Sequence, residues 1–430
     1  MKVALVNPSW SFANSIYFGC REPHLPLELG YSAALLRAAG HETLLLDGAL
    51  MGEPNAALVE RVAAFGSDMT VVTTAPTYLF WRCAQPELRV PREVFAALGR
   101  RGGLTVAVGP HASVTPETTL AKLGCDVAIR GECEEIVASL ARGGPLGGQP
   151  SIAYRDGEHV VVTGAPHAGR FTDLPALRWP EAWLERHRHH HHRFGSEGQG
   201  AGAEVEASRG CPYSCSFCAK IDFRDKYRRR DVGIVIDEID GLIAAGAGYV
   251  YFIDEIFLPQ KPLLEALVTR PVEFGVQTRI DLWKPAMLDL LGAAGCVSIE
   301  AGVESLTVEG RASLDKDCRL STDELTARLI HARRSVPFVQ ANLIERAGDD
   351  ASEIARWREG LLAHGVWAND PVPLYPYPSS PDYRKLWGEP DDRAWERAHE
   401  HYLGQFGTLS DIQADDPLPL PLLEAACCAS

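Results

Sequence analysis

Ser208-Arg209-Gly210-Cys211-Pro212-Tyr213-Ser214-Cys215-Ser216-Phe217-Cys218 sets three thiols at the spacing C-x3-C-x2-C, directly after a strand-like run at 203–207. Thiolates at this spacing can ligate three irons of a [4Fe–4S] cubane and leave the fourth iron without a protein ligand. A zinc site closed by a fourth Cys or His from elsewhere is the structural alternative. Either way the motif lies in a loop at the carboxyl end of a strand, and the pattern on both sides of it decides the fold.

Downstream, strand-like runs at 203–207, 249–253, 272–278, 297–301, 338–344 and from 367 alternate with helical patterns near 232–244, 261–268, 284–293, 322–332 and 351–363. Six successive βα-type units predict a partial barrel, with active residues at the carboxyl ends of the strands. Past Pro371 the chain is Pro-rich, then helical near 391–402, and ends LPLPLLEAACCAS.

Upstream, apolar runs at 3–6, 43–46, 69–73, 104–108 and 127–129 alternate with helical stretches near 27–39, 55–65, 92–100, 116–123 and 132–142. Strands that are apolar at nearly every position are buried on both faces, so this half reads as a doubly wound parallel sheet with its ligand crevice at the strands' carboxyl ends. Asn7, Ser9, Thr74, Gly109, His111, Gly131 and Glu132 fall there. The fold class is thus α/β: a Rossmann-type sheet, a partial (β/α)6 barrel and a short C-terminal extension. The expected boundaries are 1–142 for the sheet domain, 143–202 for a connector, 203–375 for the barrel and 376–430 for the extension. The connector holds a hairpin at 152–162 and the run His189 to His192, which reads as a solvated loop.

Composition agrees with this layout. At roughly 150 residues per domain, 430 residues make two to three domains. With 46% hydrophobic and 23% charged residues, the chain can bury ordinary cores. A formal charge of −15 argues against a nucleic-acid-wrapping surface. The start MKVALVNPSW has no charged n-region followed by an apolar h-region, and no run is long enough to span a bilayer, so a cytoplasmic protein without membrane partners is expected. In that compartment eleven cysteines point to metal before disulfides.

Taken together these residues resemble the radical S-adenosylmethionine (SAM) superfamily, whose signature is C-x3-C-x2-C with an aromatic before the last Cys, here Phe217. Further matches lie at strand ends: Phe252-Ile253-Asp254-Glu255, Gln277-Thr278-Arg279 and Glu300-Ala301-Gly302-Val303-Glu304-Ser305. The resemblance implies a [4Fe–4S] cluster on Cys211, Cys215 and Cys218. It also implies SAM held by Phe217, Asp254, Arg279, Glu300, Glu304 and Ser305. Read singly, each polar residue is equally a hydrogen-bonded member of the barrel rim. The segments 25–31, 109–117 and 130–134 are similar to the B12-binding domain that precedes the barrel in one subclass, although an Asp-x-His-x-x-Gly cobalt-ligating motif is absent. Cobalamin is therefore the implied third cofactor. His111 reads either as a ligand to it or as a loop-packing residue.

The resemblance implies reductive cleavage of SAM by an electron from a donor such as flavodoxin or ferredoxin, and methyl transfer to a small-molecule substrate. Other members of the subclass carry out rearrangements. The layout also resembles arsinothricin-biosynthesis radical SAM enzymes, which transfer the 3-amino-3-carboxypropyl group of SAM to trivalent arsenic. On that reading Cys20, Cys427 and Cys428 are thiols for a soft ion; the other reading makes the last two incidental residues of a frayed tail. A non-catalytic module that binds a corrin or a partner, with the cluster as a redox element, is the alternative of another class.

Overall fold

The run Lys-Val-Ala-Leu-Val-Asn at the start of the chain is apolar on both sides of the strand it forms, and it is buried between two apolar layers. Val3 and Leu5 pack into one layer and Ala4 and Val6 into the other, all at most 1% exposed. In the computed structural model, which describes residues 1–16, 22–76, 84–187, 201–346, 348–405 and 416–425, this run is strand β1 (Lys2–Asn7). It is followed by β2 (Glu42–Asp47), β3 (Met69–Thr73), β4 (Leu104–Val108), β5 (Val127–Ile129), β6 (Ile152–Asp156) and β7 (His159–Val162). The seven form one sheet in the order β2-β1-β3-β4-β5-β6-β7. The first five are parallel, whereas β6 and β7 are antiparallel additions. The strand order reverses between β1 and β3, the switch point at which such sheets receive ligands.

The expected helices are present, some with ends shifted by two or three residues, as at Arg89–Leu98, Thr322–Ser335 and Ala394–Gln405. A helix expected near 92–100 spans Arg89–Leu98, because Pro91 sits in its first turn, where no amide hydrogen is needed. The hairpin expected at 152–162 is β6–β7, and it extends the first sheet. The chain divides into two compact units, one of Met1–Arg170, Cys218–Asp225 and Tyr375–Ser430, the other of Phe171–Phe217 and Lys226–Leu374. In the first unit Trp395 and Leu420, far along the chain, join the layer of Val3 and Leu5. Glu424 accepts from Lys122 Nζ at 2.8 Å and from the amide of Leu88 at 3.3 Å, which fixes the helix Leu420–Ala425 to the sheet domain.

The second unit is built on β8 (Ala201–Val205), β9 (Ser208–Arg209), β10 (Arg228–Arg229), β11 (Ala247–Phe252), β12 (Glu273–Thr278), β13 (Cys296–Glu304), β14 (Phe338–Leu343) and β15 (Trp367–Ala368). Six of these form a parallel sheet in the order β15-β14-β13-β12-β11-β8, each strand beside its neighbour in sequence, as in an incomplete barrel. Alternation along β14 separates the faces: Val339, Ala341 and Leu343 are buried, while Phe338, Gln340 and Asn342 are partly accessible. β13 outruns its expected end at Ala301, with a register shift between Gly302 and Glu304. Ahead of the barrel strands, residues 174–177 are tied into this unit by buried Arg230. Its Nε donates to Leu174 O at 3.0 Å, and its Nη2 donates to Glu238 at 2.6 Å.

Candidate functional site

The cysteine motif emerges from β8 through a short ladder. Ser208 and Arg209 pair antiparallel with Arg229 and Arg228. Gly210 then turns with φ 79°, and a Cβ there would lie 2.1 Å from Lys226 O, so only glycine fits. Two carboxylates at the end of β11 hold this loop. Asp254, 1% exposed, accepts from the Ala207 amide at 2.8 Å through one oxygen and from the Ser208 hydroxyl through the other. Glu255 accepts from the Gly210 amide at 2.8 Å. On the far side, the Ser216 amide donates to Leu314 O at 2.9 Å. Cys211, Cys215 and Cys218 are outside any disulfide and of intermediate exposure, and Phe217 is likewise half-buried.

Two cations stand near Cys215. Burial pushes its thiol up, and the charges of Lys316 and Arg279 pull it down. Lys316 donates to Glu304 Oε1 at 2.9 Å, and both side chains are largely buried. The backbone is strained around this pair, with Glu304 at φ 66°, Asp315 at 50° and Asp317 at 47°. The sequence reading names Glu304 and does not name Lys316. The signal available was a Lys flanked by two Asp, residues that tolerate the left-handed region. Arg279 grips Asp281 through two bonds of 3.1 and 2.8 Å, donates to Asp317 O at 3.1 Å and stacks 4.0 Å over the Tyr213 ring. Its Nη1 is buried with no hydrogen-bond partner. Ser305 accepts weakly from Arg346 at 3.4 Å. Glu300 lies deeper, on β13 between Gln277 and Gln340.

In the sheet domain the expected crevice residues divide by what holds them. Asn7 donates to Asp47 at 2.6 Å and accepts from Trp10 Nε1 and Thr73 Oγ1, both at 2.9 Å, so its amide braces the β1 end. The backbone of Ser9 is clasped by Asn55 at 2.7 and 3.1 Å. Gly109, at φ 122°, leads to His111, which is 1% exposed, stacks on Trp395 at 4.0 Å and bonds Pro86 O at 3.3 Å. Burial lowers the His111 pKa to about 3, which keeps the ring neutral. Gly131 bridges to His167, and Glu132 accepts from the Gly169 amide at 3.2 Å. Thr74 differs from these. It follows β3 at the switch point, is fully buried, and its hydroxyl has no partner. Cys20, Cys427, Cys428 and the run His189 to His192 lie outside the described residues.

Comparison with known proteins gives the same two-part division. The B12 binding domain model matches residues 20–141 and the Radical SAM superfamily model matches residues 205–343. Over 320 residues the chain is 25% identical to an uncharacterized methyltransferase of Pyrococcus horikoshii, covering 71% of this chain and 66% of that one. An anaerobic magnesium-protoporphyrin IX monomethyl ester cyclase of Cereibacter sphaeroides is 25% identical over 414 residues, 90% of this chain and 64% of its own. The hopanoid C-3 methylase of Methylococcus capsulatus is 26% identical over 363 residues, 80% and 64% respectively. The chain thus spans slightly under two thirds of the length of these relatives. Among solved structures, the radical SAM methyltransferase TsrM of Kitasatospora setae, with cobalamin and a [4Fe–4S] cluster bound, shares the fold. Its TM-score is 0.69 at 19% identity over 88% of this chain and 73% of that one. The cobalamin-dependent radical enzyme OxsB, with aqua-cobalamin bound, gives 0.71 at 15% identity over 91% and 63%. Among the described residues no helix is long and apolar enough to cross a membrane.

Proposed function

Because the chain belongs to the radical SAM superfamily, in the branch that carries a B12-binding domain ahead of the barrel, we propose that it cleaves SAM reductively and, with cobalamin, transfers a methyl group to a small molecule. The observation that carries this reading is the three-cysteine loop braced by Asp254 and Glu255 with two cations, Lys316 and Arg279, close to Cys215. A cluster bound by three thiolates is anionic, and nearby buried cations favour it. The donor set therefore suits an iron cluster on Cys211, Cys215 and Cys218.

SAM fits the same rim. The orphaned Nη1 of Arg279 is a donor suited to the SAM carboxylate, with the ring of Tyr213 and the bidentate Asp281 holding the guanidinium in place. Glu304, fixed by Lys316, and Ser305 are offered for the ribose and amino groups. Asp254 is assigned a positioning role, since both its oxygens are engaged by the loop. In the sheet domain, the unpartnered Thr74 hydroxyl at the switch point suits a polar group of a corrin. His111 packs under Trp395 as a neutral ring and is left out of the cobalamin site. Cobalamin, when bound, supplies a methyl carrier; the chain's residues orient the reactants and exclude water. An external one-electron donor such as flavodoxin or ferredoxin completes the system, in a reducing compartment such as the cytoplasm.

The test is anaerobic reconstitution with iron and sulfide, followed by incubation with SAM, cobalamin and a strong reductant, with and without arsenite. 5′-Deoxyadenosine together with S-adenosylhomocysteine supports methyl transfer. Methylthioadenosine that rises with arsenite replaces it with aminocarboxypropyl transfer. No SAM cleavage by a loaded cluster refutes both.

A further inference from the structure

β13 ends in a turn that is costly to make. The Ser305 amide donates to Val303 O at 2.9 Å, which closes three residues around Glu304 at φ 66°. A γ-turn with a positive φ at its centre is the rare, strained form. In a residue other than glycine such strain persists only where the surroundings over-determine it. The side chain that does so is Arg311, in the helix Val308–Ser313 that follows. Its Nη1 donates to Ser305 O and to Leu306 O, both at 2.8 Å, and its Nη2 donates to Leu320 O at 2.7 Å. Thr322 Oγ1 adds a second hold on Leu306 O.

The main chain of Arg311 holds the other half of the Glu304–Lys316 pair. Its carbonyl accepts from the amides of Leu314 at 3.2 Å and Lys316 at 3.1 Å, within the turn that contains left-handed Asp315 and Asp317. On this turn the groups around the cysteine loop converge. Lys316 reaches Glu304 Oε1 at 2.9 Å, Asp317 O accepts from Arg279 at 3.1 Å, and Leu314 O accepts from the Ser216 amide at 2.9 Å. Arg311 therefore joins the Glu304 turn and the Lys316 turn into one hydrogen-bonded network. Stability alone does not account for it. Arg311 is fully buried, no carboxylate pairs with it among the described residues, and its Nε has no acceptor. A buried cation without a counter-charge costs folding energy. What the planar fork adds is geometry, since one rigid group catches three carbonyls from two segments.

We propose that Arg311 is a positioning residue of the SAM site, holding Glu304 and Ser305 in place before SAM arrives. With its side chain covered, it acts only through these residues. This rests on the reading of Glu304 and Ser305 as SAM contacts and adds what sets their geometry.

Arg311→Met removes the hold, whereas Arg311→Lys keeps the charge without the fork. Both are reconstituted as full chains and compared with the unaltered chain in four respects: iron content, the resonance of the reduced cluster without SAM, SAM affinity by calorimetry, and hydrogen exchange of the Ser305 and Lys316 amides. Iron content and the SAM-free resonance should match, while exchange of both amides rises. SAM affinity should fall about tenfold in Arg311→Met and about threefold in Arg311→Lys. In a Glu304→Gln background Arg311→Lys should cost less than about twofold, because the residue through which it acts is already lost. Unchanged SAM affinity in Arg311→Lys, or an undiminished further loss in the Glu304→Gln background, overturns the proposal. Iron lost in step with SAM affinity makes Arg311 a residue of the fold and also overturns it. Exchange in the unaltered chain covers the case of variants that do not fold: both amides should be protected before SAM is added, and protection that appears only with SAM overturns the proposal. If the unaltered chain binds no SAM, the reading beneath the proposal falls and the proposal with it. If it binds SAM, the outcomes above refute the role of Arg311 alone.

Discussion

Asp254→Ala tests whether this carboxylate holds the cysteine loop or binds SAM. Asp254 is buried, as are Ala207 and Ser208, the residues whose amide and hydroxyl it accepts. Truncation leaves two buried donors without acceptors, at about 1–3 kcal/mol each, so roughly 2–6 kcal/mol is lost from the ordered loop. At 1.4 kcal/mol per factor of ten, even the lower bound raises local opening about thirtyfold. Asp254→Asn keeps an oxygen for the Ala207 amide and forces only the Ser208 hydroxyl to reverse, so about 1 kcal/mol and a fivefold effect are expected. The assay is hydrogen exchange of the 207–210 amides in the protein before iron is added, followed by iron content after reconstitution. Exchange should rise in the order parent, Asn, Ala, and iron retention should fall in the same order. If loop exchange is unchanged in Asp254→Ala while SAM affinity collapses, Asp254 is a SAM ligand and the positioning argument is wrong.

Gly210→Ala should abolish cluster assembly in a chain that still folds, because the new Cβ would meet Lys226 O at 2.1 Å in a left-handed turn; iron content and circular dichroism check it. Lys316→Met leaves Glu304 buried without its cation, so SAM affinity should fall tenfold or more by calorimetry, with Lys316→Arg recovering part of it. Thr74→Val should weaken aqua-cobalamin binding about fivefold, the equivalent of about 1 kcal/mol for one hydrogen bond, in an absorbance titration, while the unfolding midpoint stays within a degree or two. His111 binds its proton less readily folded than unfolded, with a folded pKa of about 3 against 6.5. Its stability contribution is therefore complete above pH 6.5 and is lost as pH falls toward 3, at a limiting slope of about 1.4 kcal/mol per pH unit. Urea unfolding of His111→Phe, which keeps the ring over Trp395, should show that slope removed.

Alternation of apolar runs with helical periods made both halves legible, because strands such as β1 and β3 are buried on two faces and leave little choice of residue. The cysteine spacing was legible for a similar reason: ligand chemistry restricts both residue type and separation. What escaped was set by distant pairing. Lys316 acquires its place only when the turn after Ser313 folds back on Glu304, and nothing local in Leu-Asp-Lys-Asp-Cys announces that partner. Asp254 was legible as a polar strand end, but its two bonds to Ala207 and Ser208 follow from the parallel register of β8 and β11, which sequence does not state. His111 reads in the sequence as either a ligand or a packing residue, because the ring that stacks on it, Trp395, lies nearly three hundred residues later. The register row of Gln277, Glu300 and Gln340 is invisible in sequence, where the three lie on separate strands.

The most direct measurement is electron paramagnetic resonance of the anaerobically reconstituted and reduced protein, before and after SAM is added. The account predicts a [4Fe–4S]+ signal whose g values shift when SAM binds the open iron, and no such signal from Cys215→Ala. A signal indifferent to SAM, or one that survives Cys215→Ala, would contradict it.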